Sequence, residues 1–94
     1  MTVDGVLEEL LYANPHIVMK VRSGSEVFIA TWESPNTVLR RAHFTATTFH
    51  LGDRIIVSGS PARDSFKHEL ASLKEVVRPS DGWKWSDPKF SRAQ

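Results

Sequence analysis

The 94-residue chain contains no cysteine. A disulfide framework and a thiolate metal site are therefore excluded, whatever compartment the protein occupies. The chain also lacks an excess of either charge, because twelve basic and eleven acidic residues leave a net charge of +1. This balance argues against nucleic acid as a partner, since proteins that bind nucleic acid usually carry a surplus of basic residues.

Long hydrophobic runs and catalytic motifs are missing as well. No apolar run approaches the ~18 residues needed to cross a bilayer, so the sequence predicts no membrane span. The five glycines are dispersed and form no phosphate-binding loop, and no serine lies in a Gly-x-Ser-x-Gly setting. These absences favour a non-enzymatic protein without a cofactor.

What the chain does contain is a series of short, strand-like alternations that suits one small domain. The predicted elements, in order, are a strand over 16–22, a strand over 26–32, a short helix over 34–43, a strand over 54–59 and a strand over 68–77. Ser34 and Pro35 mark the start of the helix as a capping residue and a first helical residue. The segment 3–13 fits a helical stripe and an irregular strand equally well.

If that first segment is a strand, the order is that of a small five-stranded OB-like β-barrel with one short α-helix between strands 3 and 4. We assign this barrel to residues 1–78. Residues 79–94 form an aromatic-containing C-terminal tail. In the last strand, either Ala71 and Leu73 or Leu70 and Val76 face inward.

Several short motifs recur in a recognisable order. They are Tyr12-Ala13-Asn14-Pro15-His16, Trp32-Glu33-Ser34-Pro35-Asn36, Leu39-Arg40-Arg41, Leu51-Gly52-Asp53, Ser58-Gly59-Ser60-Pro61-Ala62 and Asp81-Gly82. From Gly5 to about Gly82 the chain resembles the bacterial family of unknown function DUF6152. The resemblance implies an OB-like barrel, a strand for the first segment and an exported, periplasmic setting. The chain departs from the family in lacking a signal peptide and a His-His-Ser-Phe segment, and the family supplies no activity and no catalytic residues.

Five residues are candidates for ligand binding. His16 is a ligand-contacting group or a residue that shapes the Asn-Pro-His turn. Asn36 and Arg41 lie at the two ends of the helix, where they bind an anion or satisfy the helix termini, and Arg41 can also pair with Glu33. Tyr12 and Trp32 are stacking residues or core residues.

No metal site is predicted, because the four histidines show no diagnostic spacing and His16 is only a weak candidate for a ligand. Trp83, Trp85 and Phe90 in the tail are interface candidates that meet another chain or fold back on the barrel.

The sequence thus indicates a binding or interaction module whose partner is a small ligand or a protein, with a homodimer as one form of the latter. One alternative is binding of single-stranded nucleic acid or oligosaccharide, with Lys20, Arg22, Arg54 and Lys74 as basic contacts. Another is a histidine-based metal-binding protein or small enzyme.

Overall fold

The computed structural model describes residues 1–63 and 67–87. In this part of the chain the elements are β1 (Thr2–Leu11), β2 (Val18–Ser23), β3 (Glu26–Thr31), α1 (Pro35–Ala42), β4 (Arg54–Pro61), β5 (Glu69–Arg78) and β6 (Trp83–Ser86). The helix has eight residues. No helix among the described residues is long and apolar enough to cross a membrane.

Five strands close into a barrel in the order β3-β2-β1-β4-β5, and a pairing between β3 and β5 completes the circle. The closing ladder is short and parallel, with Ile29 opposite Glu69 and Ala30 opposite Leu70. The other barrel pairings are antiparallel. Closure gives each barrel strand a partner on both sides, which a small sheet otherwise lacks at its edges. The predicted OB-like barrel, with its helix between strands 3 and 4, is confirmed.

The first segment is a strand, as the family resemblance implies. β1 lies between β2 and β4, and its buried residues Val3, Gly5 and Leu7 follow a period of two. The period is typical of a strand with one face in the core. A Cβ atom at Gly5 would collide with the carbonyl group of Arg22 and would lie 2.9 Å from the side chain of Val21. Glycine is therefore required where β1 lies against the backbone of Arg22.

The alternations that predict the other strands also predict the core. The buried residues of β2, β3, β4 and the segments beside them include Ile17, Met19, Val21, Phe28, Ala30, Trp32, Ile55 and Val57. Each alternates with a more exposed neighbour. Burial of such side chains contributes roughly 1.5–3 kcal/mol each and is the main force that closes the barrel.

Two irregularities change what a plain alternation predicts. In β1 the pairing with β2 shifts between Leu7 and Glu9. The adjacent carboxylates of Glu8 and Glu9 consequently both reach outward-facing bases of β2, Arg22 and Lys20, at 2.8 Å each. A bulge has this effect because the extra residue reverses which side chain points outward.

In β5 the residues that face inward are Leu70, Leu73 and Val76, whereas Ala71 is exposed. The predicted inward set of Leu70 and Val76 is therefore right but incomplete, whereas the set of Ala71 and Leu73 is right only for Leu73. The pairing of β4 with β5 shifts between Ser58 and Ser60, and Ser72 has a φ of 50°. This left-handed residue breaks the strict alternation and lets both sets contribute to the core.

The helix starts and ends as its sequence predicts. The hydroxyl oxygen of Ser34 accepts a hydrogen bond from the backbone N–H of Thr37 at 3.4 Å, and Pro35 is the first helical residue. At the other end His43 adopts a left-handed φ of 54° and donates its N–H to the carbonyl oxygen of Leu39. Val38 is the buried residue of the helix, so α1 is held on the barrel by one apolar stripe and two caps.

β6 is not among the elements predicted from the sequence. It pairs with β5, with Trp85 opposite Val76 and Trp83 opposite Arg78. Trp85 is only 5% exposed. The strand exists because tertiary packing offers an apolar site for two indoles, which outweighs the turn-forming residues around them.

Candidate functional site

Two of the sequence motifs meet at a cleft of about 380 Å³. Its walls are formed by His16, Thr31, Trp32, Glu33, Ala71, Ser72, Leu73 and Asp87. The backbone joins the motifs directly, because Ile17 donates to the carbonyl oxygen of Glu33 at 3.0 Å and accepts from the N–H of Trp32 at 2.8 Å. Residues 16 and 32–33, far apart in sequence, are therefore held side by side.

The opposite wall comes from the irregular part of β5. Ala71 and Ser72 are exposed there, and the left-handed conformation of Ser72 breaks the alternation of the strand at the point where it borders the cleft. Non-glycine residues with positive φ are uncommon and often occur at functional sites. The cleft is thus a place where the barrel departs from regular geometry.

Two polar side-chain atoms of residues that line the cleft have no hydrogen-bond partner in the part of the chain that the structure describes. They are Nε1 of Trp32 and Oε2 of Glu33, and both are shielded from solvent. Leaving a buried donor or acceptor unsatisfied costs about 1–3 kcal/mol for each group, and more for a charged one. A group that supplied an acceptor to the indole and a donor to the carboxylate would recover this cost.

The second oxygen of Glu33 is already engaged. Oε1 lies 3.4 Å from Nη1 of Arg41. This distance is long for a charge-assisted bond, and the Arg41 side chain is half exposed, so the pair holds the carboxylate only loosely. Arg41 is absent from the walls of the cleft. Its link to the cleft is the ion pair with Glu33.

The indole ring of Trp32 is fixed by other aromatic rings. Its centroid lies 4.9 Å from that of Phe44 and 5.2 Å from that of Trp85. Trp32 is 3% exposed, so neither ring face is open for stacking. Its only unused interaction is the N–H bond.

The remaining predicted ligand-binding residues lie elsewhere. Asn36 is exposed in the first turn of α1 and is not part of the cleft wall. The hydroxyl group of Tyr12 donates to the carbonyl oxygen of Phe44 at 3.3 Å, and the ring packs against the core. Of the five candidates, the structure brings His16 and Trp32 together and separates Asn36, Arg41 and Tyr12 from them.

The interface candidates of the tail are in two situations. Trp85 lies in the core, and Trp83 is partly buried against the rings of Phe44 and Phe49 at centroid distances of 5.8 and 5.0 Å. Phe90 lies outside the described residues. The two indoles therefore pack back onto the barrel, which was one of the two outcomes predicted for them.

The histidines are dispersed. His43 ends the helix, and His68 stacks on Phe28 at 4.9 Å and lies 3.2 Å from Glu26. His16 lines the cleft. Among residues 1–63 and 67–87, no group of three or more histidine, aspartate or glutamate side chains is placed to hold a metal ion.

Arg78 is a structural centre that sequence reasoning does not identify. Its Nη1 donates to the carbonyl oxygen of Thr48 at 2.7 Å and to Oδ2 of Asp53 at 3.0 Å. Nε and Nη2 bind the two oxygens of Asp81 at 3.1 and 2.8 Å. The guanidinium carbon also lies 5.3 Å above the ring of Phe49. One side chain thus ties the loop before β4 to the β5–β6 turn, and no spacing rule links these positions.

These contacts set the protonation of the two aspartates. The backbone N–H of His50, and then the Arg78 guanidinium, lower the pKa of Asp53. The same guanidinium lowers the pKa of Asp81. Both carboxyls therefore stay charged to a lower pH than an ordinary aspartate, and they hold Arg78 in position.

A second concavity is apolar. This groove of about 570 Å³ is lined by Glu9, Leu10, Leu11, Val18, Lys20, Ala46, Phe49 and Leu51. Leu11 and Leu51 are 58% and 66% exposed. At its rim, the Lys20 ammonium and the Glu9 carboxylate form an ion pair of 2.8 Å.

The comparisons with known proteins identify a family and nothing closer. No curated protein and no solved structure matches the chain. A family model described as a family of unknown function, DUF6152, matches residues 1–71. That span includes the barrel from β1 to the start of β5 and most of the cleft. The chain therefore belongs to the DUF6152 family, as its motifs predict.

Proposed function

We propose that the protein is a non-enzymatic binding module that holds a small polar ligand in the cleft between His16, Trp32, Glu33 and Ser72. The observation that carries the proposal is the pair of buried, unpartnered atoms, Nε1 of Trp32 and Oε2 of Glu33. Folded proteins satisfy nearly all such atoms, and an exception calls for an explanation. A bound ligand with an acceptor and a donor supplies one.

The surroundings of the cleft support binding rather than catalysis. The volume of about 380 Å³ falls within the range of small-molecule sites. Among the described residues, His16 is the histidine that lines the cleft. In the described contacts, no serine or threonine of the cleft forms a hydrogen bond to His16, as a nucleophile and its base would.

Nucleic-acid binding has less support. Three of the four basic candidates already pair with acids: Lys20 with Glu9, Arg22 with Glu8 and Arg54 with Asp4. In addition, no phenylalanine, tyrosine or tryptophan side chain among the described residues is fully exposed. Binding of single strands usually depends on free cations and on open aromatic faces for stacking.

The test uses the indole N–H signals of ¹⁵N-labelled protein in a titration with five probes: acetamide, glucose, ethanolamine, glucosamine and acetate. Trp32→Phe identifies the signal of Trp32 among those of the three tryptophans. A saturable shift of this signal with at least one probe, together with a higher melting temperature, supports the proposal. If no probe shifts it and a bound water alone is detected beside the indole, the proposal is wrong.

A second candidate function, self-association, is favoured by the apolar groove. Exposed apolar patches often mark protein interfaces, and Leu11 and Leu51 are among the most exposed large apolar residues described. The rim carries one acid and one base, Glu9 and Lys20. A two-fold interface needs such a self-complementary arrangement, because the axis brings the acid of one copy to the base of the other.

Sedimentation velocity over a wide range of concentrations tests this candidate. We expect a weak, concentration-dependent dimer, because the exposed apolar surface of the groove comes chiefly from two side chains, Leu11 and Leu51. A stable interface buries roughly 800 Å² per partner. Leu51→Lys should abolish the dimer. Leu39→Lys, which changes an exposed leucine on α1 outside the groove, should leave it intact. A monomer at all concentrations, or equal effects of the two changes, would rule the groove out.

A further inference from the structure

The cleft lies at a gap between two strands of the barrel wall, and this gap defines the class of its ligand, on the premise that the proposed binding function is correct. We infer that the ligand is a short peptide with small side chains, which pairs in extended form with the edge of β5 inside the cleft. The ladders on the two edges of β5 support this ligand, independently of the two unpartnered side-chain atoms.

Two strands share one edge of β5. Leu70 is paired both with β4 and with β3, and Val76 is paired both with β4 and with β6. A strand residue has one neighbouring strand on each side. Both β3 and β6 therefore lie on the edge of β5 that faces away from β4.

Between β3 and β6, part of this edge has no neighbouring strand among the described residues. The ladder with β3 ends at Leu70. On the other side of the gap, the N–H of Asp87 donates to the carbonyl oxygen of Lys74 at 2.8 Å. Ser72 and Leu73 have no partner residue in any of the three ladders of β5. At ~3.3 Å per residue, the interval between Leu70 and Lys74 has room for about two or three residues of an added strand.

The opposite edge does not compensate for the gap. The register of β4 with β5 places Gly59 alone against the residues 72–74. The backbone of Gly59 is engaged with the start of the chain, because its N–H donates to the carbonyl oxygen of Met1 and its carbonyl oxygen accepts from the amino group of Met1, at 3.0 Å each. Residues of a bulge are left out of the ladder, so this stretch of β5 is the one that an added backbone can pair with.

The cleft coincides with the gap. Its wall contains Ser72 and Leu73, and it also contains Thr31, which directly follows the last residue of β3 in the ladder with β5. Ala71 and Ser72 are exposed. The stretch of β5 without ladder partners is therefore open to a ligand that enters the cleft.

An extended peptide is the ligand that complements a strand edge. Its N–H and carbonyl groups recur with the spacing of a strand, and main-chain hydrogen bonds supply the affinity of such added strands. The volume of about 380 Å³ lies near the lower end of the range for ligand sites. Two or three residues with side chains as small as alanine are hence favoured over larger ones.

The backbone amide signals of Ser72 and Leu73 in ¹⁵N-labelled protein test the inference with N-acetyl-trialanine amide as the probe. We expect a saturable shift of both signals, with a Kd at least roughly tenfold lower than that of acetamide, because the peptide offers several amide groups and acetamide one. Each alanine N–H of the probe is then replaced in turn by an ester oxygen. At least one replacement should raise the Kd about fivefold, the effect of one lost hydrogen bond. A neighbouring replacement should leave the Kd unchanged, because successive N–H groups of a strand point to opposite sides.

Two variants and a control provide the second measurement. Ala71→Phe places a large side chain at the exposed wall of the cleft and should abolish the shifts. Ser25→Phe, in the exposed hairpin turn, is the matched control and should leave the Kd unchanged. Ser72→Gly removes the hydroxyl group and tolerates the positive φ, so it should also leave the Kd unchanged if the backbone binds the peptide. Circular dichroism shows that each variant is folded.

Three results would overturn the inference while the binding function stands. In the first, no ester replacement changes the Kd. In the second, Ser72→Gly abolishes binding, which would assign recognition to the hydroxyl group. In the third, a small probe such as acetamide shifts the indole signal of Trp32 and the peptide moves neither amide signal.

Two other results bear on both proposals. Nuclear Overhauser contacts in the unliganded protein between the amide of Ser72 and residues 88–94, which lie outside the described residues, would show that the chain itself fills the gap. A separate peptide would then be ruled out, and so would the open cleft of the proposed function. If no probe moves either the indole signal of Trp32 or the two amide signals, the binding function and the peptide class are both wrong.

Discussion

Replacement of Arg78 by alanine should destabilise the barrel far more than replacement of any exposed arginine. The Arg78 side chain is 14% exposed and its partner Asp53 is 25% exposed. Its two bonds from Nη1, to Thr48 and Asp53, each contribute about 1 kcal/mol after discounting for this partial exposure. The contact with the ring of Phe49 adds roughly 0.5–1 kcal/mol.

The expected loss is therefore about 3 kcal/mol of the free energy of unfolding, a large part of the 5–15 kcal/mol typical of a domain. For a chain of this size it corresponds to a fall in melting temperature of about 15 °C. Arg78→Lys should lose roughly half as much, because a lysine keeps the charge and cannot reach the loop and the turn together.

Urea unfolding followed by tryptophan fluorescence measures this loss. Arg54→Ala is the matched control, since Arg54 also forms a two-pronged pair with an aspartate, Asp4, at 2.9 and 2.6 Å. Its side chain is 60% exposed, and we expect little change in the urea midpoint. If Arg78→Ala unfolds at the same urea concentration as Arg54→Ala, burial does not distinguish the two pairs and the reasoning is refuted.

Two further predictions concern the barrel. The pKa of Asp53 is lowered in the folded state, chiefly by the N–H of His50, so its contribution is present above the unfolded pKa of about 3.9 and is lost as pH falls through the folded value. The free energy of unfolding should therefore fall less in Asp53→Asn than in the unchanged protein when the pH is lowered from neutral to below about 3.9. Urea titrations at the two pH values measure this fall, and an equal fall in both proteins would contradict the prediction. Gly5→Ala should lower the free energy of unfolding by about 1–3 kcal/mol, because the added methyl group clashes with the backbone of Arg22. Ser25→Ala, in the exposed hairpin turn, is the control and should lower it little. Equal melting temperatures of the two variants would show that β1 and β2 can move apart without cost.

Four of the five barrel strands were predictable because each carries its own signal, whereas the periodicity of 3–13 fits a helix equally well and only the family resemblance favours a strand there. Ile17, Met19 and Val21 alternate with polar or half-buried residues, and this period of two already identifies the inward face. β6 illustrates the opposite case. Trp83 and Trp85 alternate too, but a four-residue strand is too short for periodicity to outweigh the flanking turn residues, and only the apolar site beside β5 stabilises it.

The candidate site was predictable in part. His16 and Trp32 stand out in the sequence as members of distinct motifs, and they do share one cleft. Glu33 attracts notice there only as a partner for Arg41. The roles of Ser72 and Asp87 carry no local signal, since their place at the cleft depends on the irregularity of β5 and on the chain after β6.

The sequence by itself determined the order of the elements from β2 to β5, the helix caps, most of the core and the family, because these depend on local periodicity and on short motifs. Only the tertiary structure decided that the strands close through β3 and β5, that Arg78 joins two distant turns, and that Trp32 and Glu33 keep one unpartnered atom each. Such features arise from contacts between residues tens of positions apart, and the preference of each residue for its own conformation contains no information about them.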